Sequence, residues 1–500
     1  MDILSSFADG FLIAATPTNL LYCLIGALIG TLIGVLPGLG PVATVAMLLP
    51  VTFYLPPVSA LIMLSGIYYG AQYGGSTTAI LANIPGENSS IVTCLDGHQM
   101  ARQGRAGPAL AIAALSSLAA GCFATFFIAF FAPPLAEVAL LFGAAEYFSL
   151  MVLGLIAAIV LAHGSIVAAL GMIVLGLLLS AIGTDVNTGV QRMTLGIVEL
   201  SDGIGFVPLA MGLFAIGDII RNIEAAESRV VLSGKVGRLW PSREDFRRSF
   251  GPVIRGTALG SFLGILPGGG AMLSSFAAYA VEKKISKEPH RFGKGAVEGV
   301  AAPEAANNAG AQTSFIPLLT LGIPSNPVIA LIAGAMMIHG IQPGPQVMTK
   351  NPDLFWGLIA SMLIGNAMLV LINLPLIQIW VTLLRVPYRL FFPALLVFSC
   401  IGVYTLNSSV AEVVMLLVFG MLGYVLLKLR CEPAPLLLAF VLGPLMEENL
   451  RRAMLLSKGD ATTFLVRPIS LTLLLLALGL LLLVVLPAFR RTREVAFEEA

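Results

Sequence analysis

Leu36-Pro37-Gly38-Leu39-Gly40 and Leu266-Pro267-Gly268-Gly269-Gly270 are two copies of Leu-Pro-Gly-x-Gly, each closing an apolar stretch. The register extends beyond the pentapeptide. Gly30, Gly34, Pro37, Gly38 and Gly40 correspond to Gly260, Gly264, Pro267, Gly268 and Gly270 at a constant offset of 230 positions. Proline and glycine end a helix, and a helix ended inside a membrane exposes backbone groups that something must satisfy. A duplicated break at fixed offset predicts a two-repeat transporter with its binding site where the breaks meet.

Composition supports the membrane setting. The 500 residues are 57% hydrophobic and only 11% charged, with mean hydropathy +0.93, against about 25% charged in soluble domains. Apolar runs such as Leu110 to Phe131, Leu354 to Leu374 and Ile469 to Leu486 approach or exceed the ~20 residues a spanning helix needs. The pattern predicts an all-α polytopic membrane protein with roughly ten to twelve embedded segments. A net charge of +1 argues against a nucleic-acid partner. The cysteines Cys23, Cys94, Cys122, Cys400 and Cys431 are scattered and never paired as CxxC, so neither a disulfide framework nor a zinc site is indicated. Asp2 and Asp9 precede the first apolar span without any Lys or Arg. That start lacks the basic region of a cleaved signal peptide.

Basic loops mark the cytoplasmic side. The strongest runs from Arg221 to Arg255, a second contains Lys283, Lys284, Lys287, Arg291 and Lys294, and a weaker third holds Arg102 and Arg105. The helix before the second motif then enters from the cytoplasm, whereas the helix before the first follows a segment without basic residues and enters from outside. The two copies run oppositely, giving inverted-topology repeats. About a dozen apolar residues separate Gly270 from Lys283, roughly 18 Å of helix, too short to cross. The second copy is therefore read as a re-entrant hairpin turning at Pro267 to Gly270, and the first as a matching hairpin turning at Pro37 to Gly40. Each is followed by a broken transmembrane helix: one interrupted at Asn83-Ile84-Pro85-Gly86, the other at Gly322-Ile323-Pro324-Ser325-Asn326. This divides the chain into a first repeat (1–220), a basic cytoplasmic connector (221–250), a second repeat (251–430) and C-terminal membrane segments with a basic tail (431–500). The charges around the last span are balanced and do not orient it.

Broken helices place N-terminal N–H groups and unwound carbonyls at membrane depth, where the first favour an anion and the second a cation. Polar residues gather at the breaks. Pro37, Gly38, Gly40, Thr44, Ser76, Thr77, Asn83, Pro85, Gly86, Pro267, Gly268, Gly269, Gly270, Ser274, Ser275, Pro324, Ser325 and Asn326 are the candidate substrate-binding set, and Asn307, Asn308 and Gln312 the candidate cation-binding set. No Lys or Arg lies within the motifs, so a bound polyanion is expected to rely on dipoles, hydroxyls and a co-bound cation. The plainer alternatives have weight. Gly26, Gly30 and Gly34 suit close helix packing, and membrane Ser and Thr often bond only their own helix carbonyls. His163 and His339 are expected to be packing residues, Glu298 and Glu304 interfacial loop or capping residues, and Glu447-Glu448 with Arg451-Arg452 a set of helical ion pairs. Without a recognisable intramembrane proton relay, sodium is preferred to protons as the coupling ion, and no other cofactor is expected. The Gly268 to Gly270 run lacks the Gly-Lys-Ser/Thr of a phosphate loop.

With these motifs in view, the chain resembles the large permease subunit of the tripartite tricarboxylate transporters, the TctA family. The matching segments include Gly34 to Pro41, Gly74-Gly75-Ser76 through Gly86, Asp96-Gly97 to Arg102, Leu266 to Gly270, Phe292-Gly-Lys-Gly295 through Asn308, Leu321 to Pro324, Gln342 to Pro345, and Gly443-Pro444 with Glu447-Glu448-Asn449. They extend from about residue 20 to about residue 470. The resemblance implies cation-driven import of citrate or a related carboxylate across a bacterial inner membrane, with a small membrane subunit and a periplasmic substrate-binding protein as partners. Ser325 departs from the family, since glycine is expected after Ile-Pro, as at Gly86. A self-sufficient carboxylate carrier or a channel is the alternative. An enzyme is not expected, because no nucleophile, metal-ligand or paired-aspartate motif lies in the apolar spans.

Overall fold

A computed structural model describes residues 3–36, 40–161, 165–185, 187–224, 238–266, 270–384 and 392–485. It is 80% helical, with five helices long and apolar enough to cross a membrane and a single two-stranded ribbon, Gly183–Thr184 with Gln191–Arg192, among the described residues. The chain is a multi-pass membrane protein. Shorter apolar helices such as Pro41–Thr52 and Pro327–Ile338 accompany the five long ones, so the interruptions read from Pro and Gly are real shortenings.

The first half contains α1 (Ile3–Ala14), α2 (Pro17–Val35), α3 (Pro41–Thr52), α4 (Pro57–Ala82) and the 34-residue α5 (Ala106–Ala139). The second contains α6 (Arg243–Ile265), α7 (Gly270–Ile285), α8 (Glu298–Thr313), α9 (Pro327–Ile338) and α10 (Pro352–Asn373). The helices flanking each Leu-Pro-Gly motif fold back on one another. Ile33 packs on Met47 across the first pair, and Arg255 grips Glu282 with two hydrogen bonds of 2.5 and 3.0 Å across the second. The tips at Pro37, Gly38, Leu39, Pro267, Gly268 and Gly269 lie outside the described residues, as does His163.

Glycine sets the closest contacts, as expected for Gly26, Gly30 and Gly34. A Cβ on these would stand 2.2, 2.3 and 2.4 Å from the carbonyl oxygens of Met63, Ile67 and Ala71, so at these three positions α2 touches α4 backbone to backbone. At the 230-position offset, Gly256, Gly260 and Gly264 meet the carbonyls of Ala302, Ala306 and Gly310 at 2.3, 2.3 and 2.4 Å. Their partners on α8 lie a constant 239 positions beyond the partners on α4. The same offset carries Asn83-Ile84-Pro85-Gly86 onto Gly322-Ile323-Pro324-Ser325.

All three basic stretches meet at one end of the molecule. Arg105 pairs with Asp245 at 2.5 Å, Gln103 donates to the Lys294 carbonyl at 2.8 Å, and Arg248 pairs with Glu288 at 3.0 Å. Asp96 clamps this end: its buried carboxylate accepts the backbone N–H groups of Gly293, Gly295 and Ala296 at 2.8–2.9 Å and the Tyr279 hydroxyl at 3.0 Å. Gly293 and Gly295 have φ of 81° and 97°, which lets successive N–H groups point at one anion. Towards the C-terminus, Arg451 and Arg452 form the expected pairs with Glu447 and Glu448. Arg451 also reaches Asp185 at 2.7 Å, and the Asn187 N–H together with this guanidinium holds the Asp185 carboxyl down at about 2.

Candidate functional site

A cavity of ≈ 540 Å³ falls within the range of small-molecule sites. Four helices begin at its wall: α3 with Gly40, Pro41 and Val42; α7 with Gly270, Ala271 and Met272; α9 with Asn326, Pro327 and Val328; and α11 (Ala434–Leu456) with Pro433, Ala434 and Pro435. Local sequence sets each start. Pro41, Pro327 and Pro435 sit in first turns, where the missing N–H costs nothing. The Asn326 side chain accepts the Ile329 N–H at 3.1 Å as an N-cap. Each N-terminus carries about half a positive charge in its unpaired N–H groups. These N–H groups share the wall with the carboxylates of Glu87, Asp218 and Glu432 and the guanidinium of Arg221.

Side chains complete the wall from both halves. Tyr68 and Gln72 come from α4, and Glu87, Asn88 and Ser89 from the segment after its break. Asp218 and Arg221 lie on the helical run Phe206–Glu224. Gln72 accepts the Ser89 hydroxyl at 2.6 Å, and Ser275 reaches across to the Ser89 carbonyl at 2.8 Å. Arg221 also borders an adjoining cavity of ≈ 240 Å³ with Glu224, Tyr424 and Lys428.

Of the described residues in the candidate substrate set, Gly40, Pro85, Gly86, Gly270 and Asn326 line this cavity. The others lie outside its lining. Thr44, Ser76, Thr77 and Ser274 each donate to a carbonyl one helical turn back, at 3.0, 3.0, 3.3 and 2.7 Å. Asn83 ends α4 in the left-handed region with φ 55°. Pro324 and Ser325 are buried, and Ser325 donates to the Ser314 carbonyl at 3.1 Å. Asn307, Asn308 and Gln312 form a separate buried row on α8: Asn308 Nδ2 donates to Ser117 Oγ at 2.7 Å and to Asn307 Oδ1 at 2.5 Å, and Gln312 Oε1 accepts from Thr125 at 3.1 Å.

Two expectations need correction. Glu304 is not interfacial but fully buried in the middle of α8, where its carboxylate accepts hydroxyls from Ser76, at 2.6 Å, and Thr93 of the first half. The expectation failed because the polar run Glu298 to Thr313 looks like a surface segment, whereas α8 is buried from Gly299 to Thr313. The cavity also holds a basic side chain, Arg221, which the sequence reading assigned to the connector. The available signal was Asp218 and Arg221 at i, i+3 directly after an apolar run. Glu298 does sit in the first turn of α8 at the basic end, 3.3 Å from Arg248.

Comparison with known proteins agrees with this architecture. The model of the "Tripartite tricarboxylate transporter TctA family" matches residues 20–438. A protein of Agrobacterium vitis described as "Uncharacterized 52.8 kDa protein in TAR-I ttuC' 3'region" is 59% identical over 499 residues, 100% of this chain and 99% of its own length. A second, "Uncharacterized protein in TAR-II ttuC' 3'region" of the same organism, is 60% identical over 240 residues, 48% of this chain and 99% of its own. No solved structure matches. With the duplicated motifs, the helix starts around one cavity and the family model spanning most of its length, the chain belongs to the tripartite tricarboxylate transporter TctA family.

Proposed function

We propose that this chain is the permease of a cation-coupled importer that carries citrate or a related carboxylate through the ≈ 540 Å³ cavity. The observation that carries the reading is the convergence of four helix N-termini on that cavity. Their summed partial charges suit a polyanion, and Arg221 adds a positive charge to a wall that also carries Glu87, Asp218 and Glu432. The paired offsets of 230 and 239 positions support two equivalent units. The common end of the basic stretches supports opposite insertion of those units, as alternating access requires.

The family's tripartite organisation supports a small membrane subunit against a lipid-facing surface and a periplasmic receptor on the outer face of a bacterial inner membrane. Such a receptor raises the effective substrate concentration at the outer mouth. Sodium or protons supply the driving force. The test is counterflow in proteoliposomes with a panel of labelled mono-, di- and tricarboxylates, with and without both partners, under separately imposed sodium and proton gradients. Saturable exchange of one carboxylate class, weakened by Arg221→Gln, is the expected result. Flux that does not saturate indicates a channel, and unchanged apparent affinity without partners indicates a self-sufficient carrier.

A further inference from the structure

A second cavity lies deeper, against Glu304. Its ≈ 10 Å³ corresponds to a single water-sized occupant. Tyr73, Ser76 and Thr77 of α4, Ser117 of α5, Glu304 of α8 and Asn373 at the end of α10 bring oxygen atoms to its wall. The Tyr73 hydroxyl and Asn373 Oδ1 are buried and have no hydrogen-bond partner among the described residues. The Glu304 carboxylate is met by hydroxyls and by no basic side chain among the described residues. A buried carboxyl with no counter-charge, beside two orphaned oxygens on residues that line one small space, must either hold a proton or share a cation with them. The ligands are all hard oxygens, the type that suits unpolarisable cations.

We propose that this cavity is the sodium site of the permease, with Glu304 supplying the charge and Tyr73, Ser76, Thr77, Ser117 and Asn373 the neutral oxygens. Asn308 then has a positioning role through its 2.7 Å hydrogen bond to Ser117. The site is one helical turn from the anion cavity: Ser76 Oγ lies 3.0 Å from the Gln72 carbonyl, and the Gln72 side chain lines the larger space and holds Ser89. An occupied sodium site ties α4 of one half to α8 of the other and fixes one wall of the substrate cavity. This is the linkage that coupled transport requires. The proposal rests on the transport reading above, but sodium binding is measurable without transport.

The experiment is a sodium titration of the purified permease followed by thermal unfolding, at constant ionic strength against potassium and choline. Wild type is expected to gain melting temperature saturably with sodium alone. Glu304→Gln is expected to lose the response. Tyr73→Phe keeps the carboxylate and the volume, and is expected to raise the half-saturating sodium concentration about tenfold, the loss of one good ligand. An unchanged sodium response in Glu304→Gln overturns the site. So does a wild type that responds to pH and ignores sodium, because Glu304 then carries a proton beside a water. A Glu304-dependent sodium response without counterflow of any carboxylate leaves the site standing and removes the transport reading. Sodium-driven uptake indifferent to Glu304→Gln does the reverse.

Discussion

The two helix breaks share one plan and are held in different ways. At the first, Gly86 lies so close to α2 that a Cβ would stand 2.1 Å from the Gly34 carbonyl and 2.5 Å from Gly75 Cα. At the second, the positions 239 residues on are Ser325 and Ser314, and hydroxyls fill the space: Ser325 donates to the Ser314 carbonyl at 3.1 Å, and Ser314 to the Gly264 carbonyl at 3.2 Å. The αL residue that ends each preceding helix is also exchanged, Asn83 with φ 55° against Gly322 with φ 74°. One backbone path is thus held at Gly86 by close backbone contact, with the Thr78 hydroxyl donating to the Val35 carbonyl at 2.9 Å nearby, and in the other half by the hydroxyls of Ser325 and Ser314. The departure at Ser325 from the expected glycine is matched by its neighbour Ser314, so the two serines act as a pair.

Reciprocal exchanges test that contrast. Gly86→Ser is expected to have the largest effect. Its Cβ meets backbone that cannot yield, and overpacking of this kind costs about 1–3 kcal/mol or more; the readout is loss of monodisperse protein in detergent. Gly322→Asn follows, since its Cβ would lie 2.7 Å from the Pro343 carbonyl although Asn tolerates the conformation; a destabilisation of about 1–2 kcal/mol should appear as a lower melting temperature. Ser325→Gly removes one buried hydrogen bond, worth about 1 kcal/mol, and leaves the path intact. Asn83→Gly should change stability by less than about 0.5 kcal/mol, because either residue accepts a positive φ. If Gly86→Ser folds as well as wild type, the two breaks are not held differently and the comparison fails.

Much of the architecture is legible in the chain because Pro and Gly act locally. Pro41 and Pro327 mark helix starts, the glycines at 26, 30, 34, 256, 260 and 264 mark close packing, and the repeat offset is visible to counting. The ≈ 540 Å³ cavity is only half legible. Gly40, Gly86 and Gly270 stand in motifs, but the helix start at Ala434 and the side chain of Arg221 reach the same wall from distant parts of the chain, and no local pattern announces that meeting. Glu304 is the clearest loss. Hydropathy reads a polar helix as exposed, whereas α8 is surrounded by α4, α5, α6 and α7, and its polar groups find partners only in three dimensions.

The Asp96 clamp has a consequence for biosynthesis. Its three backbone donors lie 197 to 200 positions later in the chain. At about 5–20 residues per second, the ribosome takes roughly 10–40 s to supply them. Throughout that interval the carboxylate must remain hydrated at the membrane surface, because burial without donors is too costly. The first half therefore inserts early but cannot close its basic end until the second has emerged, and a nascent chain stalled before Phe292 presents that end open and incompletely folded to the cell's proteases.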